Sequence, residues 1–153
     1  MRLPEGLTVA DYASIQLLAA EYGWRLDHGL DVADLFVPEG IIRAPALGMQ
    51  LCGRKQISEH LRRTHANPRQ ITRHISVGLR IEDVSGPTVH LTTNQLTCLR
   101  LPGEPHSAKH LMFGDTRDVV RRDDTGEWRF VERQLDVIFP FDVQPGTMTK
   151  AST

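Results

Sequence analysis

Residues 70–83 constrain the fold more than any other stretch of this chain. Their sequence, QITRHISVGLRIED, alternates apolar and polar side chains with a period of two, which is typical of a β-strand. One face of this strand is aliphatic and is interrupted only by Arg73; it holds Ile71, Ile75, Val77, Leu79 and Ile81. The opposite face is polar and holds Thr72, His74, Ser76, Gly78 and Arg80. His74 therefore either meets solvent or lines a cavity, and we favour the cavity.

Length and composition predict a single domain with an ordinary core. The chain has 153 residues and a formal net charge of -1, which gives no electrostatic reason to expect binding to nucleic acid or to an anionic membrane. No apolar run approaches the ~18 residues of a membrane helix, and the N-terminus has no signal-peptide pattern. The two cysteines, Cys52 and Cys98, do not form a CxxC pair. We expect a soluble, cytoplasmic protein with reduced thiols.

Helical signals dominate the first part of the chain. Thr8 and Asp11 form a weakened capping box, and an apolar stripe with helical spacing follows as far as Leu26. Gly29 is the predicted C-cap. A second short helix is predicted over residues 31–36, short strands over 41–44 and 50–52, and a third helix over 54–65.

From residue 70 onward, the chain alternates with period two. Turn-rich segments divide it into four predicted strands, 70–83, 88–101, 106–122 and 127–139. Helices followed by long antiparallel strands predict an α+β domain, whose twisted sheet curls around the N-terminal helices as a cone with one pocket. The predicted organisation is an N-terminal arm (1–7), the domain (8–139) and a C-terminal tail (140–153).

Residue spacing argues against metal, phosphate and nucleophilic chemistry. His106 and His110 share a strand face but lie roughly 13 Å apart, too far to share one ion, and there is no HExxH motif. The chain contains no glycine-rich phosphate loop and no nucleophile elbow. Cys52 and Cys98 stand in apolar strand contexts that favour inert thiols. We predict neither a metal site nor an organic cofactor.

Acid–base chemistry remains, and it directs attention to Asp27 and His74. A carboxylate on one ring nitrogen fixes the tautomer of a histidine and stabilises the imidazolium that forms when the other nitrogen takes a proton. Asp27 is predicted in the last helical turn, where the helix dipole disfavours a carboxylate by roughly 0.3–1 kcal/mol. The two side chains can meet if the first helix lies across the mouth of the curled sheet. The alternatives are a satisfied histidine and an ordinary turn carboxylate before Gly29.

Several short motifs, in order, resemble a known family. They are Tyr22 and Asp27 in the opening helix, Asp31 and the DLF of 34–36, Gly53 before a helix, the TRH of 72–74, Gly114 and Asp118 in a long strand, and the GEWRFVER of 126–133. Together they resemble the SnoaL-like branch of the nuclear transport factor 2-like superfamily, over residues 8–139. Members share a cone-shaped α+β barrel. They include scytalone dehydratase, hexachlorocyclohexane dehydrochlorinase, bile acid dehydratase, ketosteroid isomerase and polyketide cyclases.

The resemblance implies roles for particular residues. In the dehydratase and dehydrochlorinase members, an Asp near the end of the first helix pairs with a His on the strand after the third helix, the places of Asp27 and His74 here. Those enzymes remove a proton from carbon and expel a leaving group without metal or organic cofactor. Scytalone dehydratase also surrounds its leaving water with tyrosines and a second His. This chain has only Tyr12 and Tyr22, with His90 or His110 as candidates for the second His.

The remaining site predictions concern the pocket lining. Core packing is the default role of large aromatic side chains, and lining the pocket is a secondary role of the same burial. Trp24 lies three residues before Asp27 and shares its helix face. An arginine or a histidine is expected to bind a substrate oxygen or the leaving group. The predicted substrate-binding set is Tyr22, Trp24, Phe36, His110, Phe113 and Arg133.

Covering both faces of strand 70–83 requires a partner for its aliphatic face. A second copy of the chain would provide it, so we predict a homodimer or a higher homo-oligomer. The predicted activity is that of a cofactor-independent lyase or isomerase acting on a small, mostly apolar cyclic substrate. The alternatives are a polyketide cyclase, a non-catalytic module that binds a small molecule in the same pocket, and a structural partner subunit.

Overall fold

Two α-helices and six β-strands make up the part of the chain that the structure describes. The computed structural model describes residues 3–64, 70–107 and 109–141. The elements in chain order are α1 (Val9–Asp27), a 3-10 turn (Ala33–Leu35), β1 (Phe36–Ala44), a 3-10 turn (Pro45–Leu47), β2 (Met49–Cys52), α2 (Gly53–Thr64), β3 (Ile71–Ser85), β4 (Thr88–Arg100), β5 (His110–Arg122) and β6 (Trp128–Phe139). In the part of the chain described, no helix is both long and apolar enough to cross a membrane. The predicted tail lies outside the described residues from position 142 onward.

The strands form one curled, open sheet in the order β2-β1-β6-β5-β4-β3. Neighbouring strands are antiparallel except β1 and β6, which run parallel. Both helices pack on the same face of this sheet and enclose a hydrophobic core with it. The predicted α+β architecture is confirmed. The sheet is mixed rather than wholly antiparallel, because the last strand, β6, runs parallel to β1 and pairs with it.

One predicted helix is wrong. Residues 31–36 form only the short 3-10 turn, and Phe36 already belongs to β1, where it pairs with Phe130 of β6. Phe36 is completely buried there. Tertiary pairing has overridden the local helical pattern. Burying this ring between the sheet and α1 contributes more to the stability of the fold than one further helical turn would. The strand predicted from residue 106 begins at His110.

The N-terminus of α1 is fixed to the far hairpin. Thr8 and Asp11 form the predicted capping box. The Asp11 carboxylate also accepts hydrogen bonds from Trp128 Nε1 (3.3 Å) and from Arg122, both on the β5–β6 hairpin. These contacts set the direction of the helix across the sheet. The last residue of α1, Asp27, consequently reaches His74 in the first part of β3.

The strict alternation of residues 70–83 fails at Gly78. Val77 pairs with Asn94 but Arg80 pairs with Thr92, so β3 contains one extra residue between these positions, a β-bulge. Gly78 adopts a left-handed φ of +69° at this point. A second register shift follows between Ile81 and Asp83. Before the bulge, Thr72 and His74 line the interior.

After the bulge, the side chains that face inward have the opposite parity. Leu79 and Ile81 pack against the core, whereas Ile75 and Val77 are 49% and 56% exposed on the outer face. The prediction that all five aliphatic residues share one buried face is therefore wrong. The bulge lets the same strand place a histidine inside at one end and aliphatic side chains inside at the other.

Replacing Gly78 by alanine is expected to destabilise the protein by about 1–2 kcal/mol, because an L-residue adopts a left-handed backbone only at that cost. A Cβ at this position would also lie 3.3 Å from Asn94 Oδ1. Gly86→Ala is expected to share the backbone cost, because Gly86 has φ +58°, but an added Cβ there meets no atom of the described residues within 4 Å. The difference between the two variants therefore measures the contact with Asn94. Urea unfolding measures both variants. A Gly78→Ala protein as stable as the wild type would contradict the bulge.

Candidate active site

The side chains of Asp27 and His74 are in direct contact. His74 Nδ1 lies 2.7 Å from Asp27 Oδ1, and the backbone N–H of His74 donates to both carboxylate oxygens at 3.0 and 3.1 Å. Both groups are largely removed from solvent, with exposed side-chain fractions of 15% for His74 and 8% for Asp27. The carboxylate is thus bound to both the ring and the backbone of one residue, which fixes their relative orientation.

Two further hydrogen bonds join α1 to β3 on either side of this contact. The Tyr12 hydroxyl donates to the Leu79 carbonyl at 3.0 Å, and Arg73 Nη1 donates to the Asp27 carbonyl at 3.3 Å. The second bond brings positive charge to the C-terminus of the helix, where the dipole is negative. It offsets the unfavourable position of the Asp27 carboxylate.

Asp27 is held in its ionised form. Burial by itself raises the pKa of this carboxyl, but hydrogen bonds from the His74 ring and backbone, with the nearby charge of Arg73, outweigh burial and lower the pKa below the ordinary 3.8. An ionised carboxylate only accepts hydrogen bonds, so it orients the Nδ1–H of His74 towards itself. In the neutral ring, Nε2 is then the nitrogen with a free lone pair.

A cavity of about 260 Å³ opens beside His74. Most of its wall is apolar and comes from β1, β2, both helices and β4–β6, including Leu26, Ile42, Met49, Leu51, Leu61, Leu99, Met112 and Leu135. Polar side chains of the sheet interrupt this wall, namely Thr72, Gln95, Thr97, Thr116 and Arg133. Such a cavity suits a small, mainly apolar molecule that is oriented by a few polar contacts.

Arg133 is the buried cation of this cavity, with 3% of its surface exposed. Its guanidinium lies 4.1 Å above the ring centroid of Tyr22 and 5.0 Å from that of Phe130, and its Nη2 is 3.6 Å from Asp118 Oδ2. Among the described residues, Nη1 of Arg133 and Oδ1 of Asp118 have no hydrogen-bond partner. The site therefore holds a buried donor that is available to a bound molecule.

Asp118 is the companion of Arg133 and is also completely buried. Burial raises the pKa of this carboxyl to about 6, although the charge of Arg133 and a hydrogen bond from the Thr116 hydroxyl act in the opposite direction. Thr116 in turn shares a 2.5 Å hydrogen bond with the Thr93 hydroxyl. A strip of polar side chains thus crosses the inner face of β4, β5 and β6. This polar strip consists of Thr93, Thr116, Asp118 and Arg133.

Two of the predicted aromatic residues lie near the histidine. Tyr22 lines the cavity with His74 and Arg133. Trp24 is 58% exposed and stacks on the ring of His28 with centroids 3.7 Å apart. It lines a second cavity between α1 and β3, which Asp27 and His74 also border. Trp24 therefore shares a cavity with the carboxylate, as its helix position predicts, but not the cavity that contains Arg133.

The structure places three other predicted residues away from the cavity. Phe36 packs in the core beneath Tyr22. His110 pairs with Glu104 at 2.8 Å in the β4–β5 hairpin. Phe113 is on the outer face of β5, because Met112 and Gly114 occupy the inward parity, and its ring contacts Phe139. None of these three is among the residues that line the cavity.

Sequence reasoning identified Arg133 of the polar strip as a site residue but missed the members on β4 and β5. The buried face of β4 reads Val89, Leu91, Thr93, Gln95, Thr97, Leu99, with polar side chains only in the middle. Polar residues flanked by aliphatic ones on an inward parity are a signal of a functional cavity, because an ordinary core excludes them. Asp118 shows the same signal on β5. Within the described ranges, no group of three or more His, Cys, Asp or Glu side chains is arranged to hold a metal ion.

Solved structures share this fold. A protein from Novosphingobium aromaticivorans, provisionally described as an aromatic ring hydroxylase, has a TM-score of 0.78 at 18% identity and covers 94% of this chain and 99% of its own. A second protein from the same organism, provisionally described as a scytalone dehydratase, has a TM-score of 0.76 at 22% identity and covers 89% of both chains. LinA has a TM-score of 0.71 at 20% identity and covers 90% of this chain and 92% of its own. At these identities the likeness shows the fold alone.

No curated protein sequence matches the chain significantly. The sequence profile of the SnoaL-like domain, in contrast, matches residues 7–134, which include α1, every strand as far as β6, and both Asp27 and His74. This match spans most of the chain and agrees with the curled α+β sheet that the solved structures share. The chain belongs to the SnoaL-like domain family.

Proposed function

We propose that the protein is a cofactor-independent lyase or isomerase in which His74 removes a proton from a carbon atom of a small, mostly apolar cyclic substrate. The observation that carries the proposal is the 2.7 Å contact between Asp27 and His74 at the wall of an apolar cavity. A positioned histidine of this kind is the most common general base in enzymes. The dehydratase and cyclase relatives of the family support the reaction class.

The reaction is balanced without a redox partner. His74 Nε2 takes the proton, and the electron pair of the broken C–H bond forms a double bond. In a lyase a leaving group departs with its own pair and receives the proton back; in an isomerase the pair moves onto a carbonyl oxygen and the proton returns to another carbon. Asp27 orients the ring and stabilises the imidazolium. Arg133 binds the oxygen on which negative charge develops.

A polyketide cyclase would use the same base to form a carbon nucleophile before ring closure. A binding module would use the cavity without chemistry. Incubating the purified protein with a ligand retained from its host, identified by mass spectrometry, separates these outcomes. The proposal expects the ligand to be chemically converted, and recovery of an unaltered ligand would support binding alone.

Replacing His74 by glutamine is expected to lower kcat by about 10²–10⁴-fold, because the general base is lost while a hydrogen bond to Asp27 remains possible. Thr64→Ser is the matched control, a conservative change elsewhere on the cavity wall. Turnover and thermal unfolding are measured for both. Wild-type turnover in a folded His74→Gln protein would refute the mechanism.

Asp27→Asn tests the ionised carboxylate by its pH dependence. A carboxyl whose pKa is lowered by folding stabilises the native state above its unfolded pKa, near 3.8, and this stabilisation is lost as pH falls through the lower folded pKa. The wild-type protein should therefore be more stable than Asp27→Asn at pH 7, and the gap should close in acid below about pH 4. Urea unfolding across this range measures the gap. A difference that does not change with pH would contradict an ionised Asp27.

We also propose that a second copy of the chain covers the outer face of the sheet. Aliphatic and aromatic residues on β3, β5 and β6 are exposed on this face, each over between 39% and 65% of its surface. They are Ile71, Ile75, Val77, Leu111 and Phe139. Contiguous apolar surface of this kind is rare on monomers and is typical of self-complementary interfaces.

Val77→Lys is expected to dissociate the oligomer, because it places a charge inside the apolar interface. Val9→Lys is the control, since Val9 is 77% exposed at the start of α1, away from this face. Analytical ultracentrifugation reports the mass of each protein. A monomeric wild type, or an oligomer that survives Val77→Lys unchanged, would rule this interface out.

A further inference from the structure

The charge of the buried cation in the cavity is balanced by the protein itself. We propose that Asp118, by neutralising Arg133, makes the cavity select a neutral oxygen acceptor such as a ketone carbonyl and reject a carboxylate. This inference deepens the proposed function and rests on it in one respect, that the cavity beside His74 is the substrate site. Asp118 is then a specificity-determining residue that does not itself touch the substrate.

The geometry leaves Arg133 free to bind a ligand. Asp118 and Arg133 are directly paired neighbours on β5 and β6, and both are buried. Their closest approach, 3.6 Å, balances charge but is too long for a good hydrogen bond. Nη1 of Arg133 has no partner among the described residues, although a buried N–H without an acceptor is unfavourable. An oxygen atom of a bound molecule would provide that acceptor.

The charges in the cavity decide which kind of oxygen fits. Arg133 and Asp118 together carry no net charge, and the other arginine of the cavity wall, Arg43, pairs with Glu132 at 2.9 Å. A carboxylate would add a second negative charge beside Asp118 in a poorly solvated space, where like charges repel strongly. A neutral carbonyl accepts the same hydrogen bond without that repulsion.

The charge balance between Asp118 and Arg133 also suits the proposed reaction. When a proton passes from a substrate carbon to His74, negative charge appears on the carbonyl oxygen and positive charge on the imidazole. The oxyanion and the imidazolium together are neutral, so the cavity gains no net charge during the step. Arg133 then binds the developing oxyanion more strongly than it binds the neutral carbonyl, which is the differential binding that accelerates a reaction.

Two probes of similar shape test the selectivity directly. Acetophenone presents a neutral carbonyl on an aromatic ring, and benzoate presents a carboxylate on the same ring. Isothermal titration calorimetry of wild-type protein at pH 7.5 should show acetophenone binding at least tenfold more tightly than benzoate. Asp118→Asn keeps the size of the side chain and removes its charge, so it should reverse the order. Arg133→Met should weaken both probes and abolish the preference.

A pH series of the wild-type protein and of Asp118→Asn provides the second measurement. Asp118 faces Arg133 on β6, the Thr116 hydroxyl on its own strand and Tyr22 on α1; the neighbouring strand β4 presents no charged group to it. Wild-type affinity for benzoate should rise as pH falls from 7.5 to 5.5, as Asp118 takes up a proton. His60 and His74 are further ionisable residues that border the cavity. Asp118→Asn separates them, since only the contribution of Asp118 disappears in that variant.

Three results would overturn the proposal. They are wild-type protein that binds benzoate as tightly as acetophenone, an Asp118→Asn protein with an unchanged ratio, and wild-type protein that binds neither probe. Loss of the selectivity with turnover still dependent on His74 would refute this inference alone, whereas turnover independent of His74 would refute the proposed function and leave the selectivity standing.

Discussion

The contact between the last residue of α1 and the first part of β3 is the constraint on which the site depends. A carboxylate at a helix C-terminus is unfavourable, and burial makes it more so. Here the backbone and ring of His74 donate to Asp27 and compensate both costs. The same hydrogen bonds fix the imidazole. The helix end, the strand and the proposed base are therefore held together by one carboxylate.

This arrangement works only because β3 changes parity along its length. The first part of the strand must place Thr72 and His74 in the cavity, whereas the last part must close the core with Leu79 and Ile81. A regular strand cannot do both, since its side chains alternate without interruption. The bulge at Gly78 separates the two requirements. It also leaves Ile75 and Val77 outside, which links the geometry of the site to the apolar outer face of the sheet.

Much of the fold could be read from the sequence, but the site only in part. The capping box of α1, its apolar stripe and the four long strands follow from local patterns, and the structure contains all of them. The parallel pairing of β1 with β6 joins segments far apart in the chain, and no local period records it. A glycine in a strand suggests a bulge, yet the side chains it turns inward depend on the partner strand. Asp118 and Arg133 are likewise neighbours only through the register of β5 and β6.

The cavity itself combines two kinds of chemistry on one surface. The proposed base, His74, is oriented by Asp27 from the helix side, and Arg133 is a buried cation on the sheet side. Nitrogen-15 NMR of the His74 ring, in its neutral form at alkaline pH, tests their central relation most directly. We predict that the ring proton is on Nδ1, facing Asp27, and that Nε2 is unprotonated and responds when a ligand enters the cavity. A neutral ring protonated on Nε2 would contradict this account.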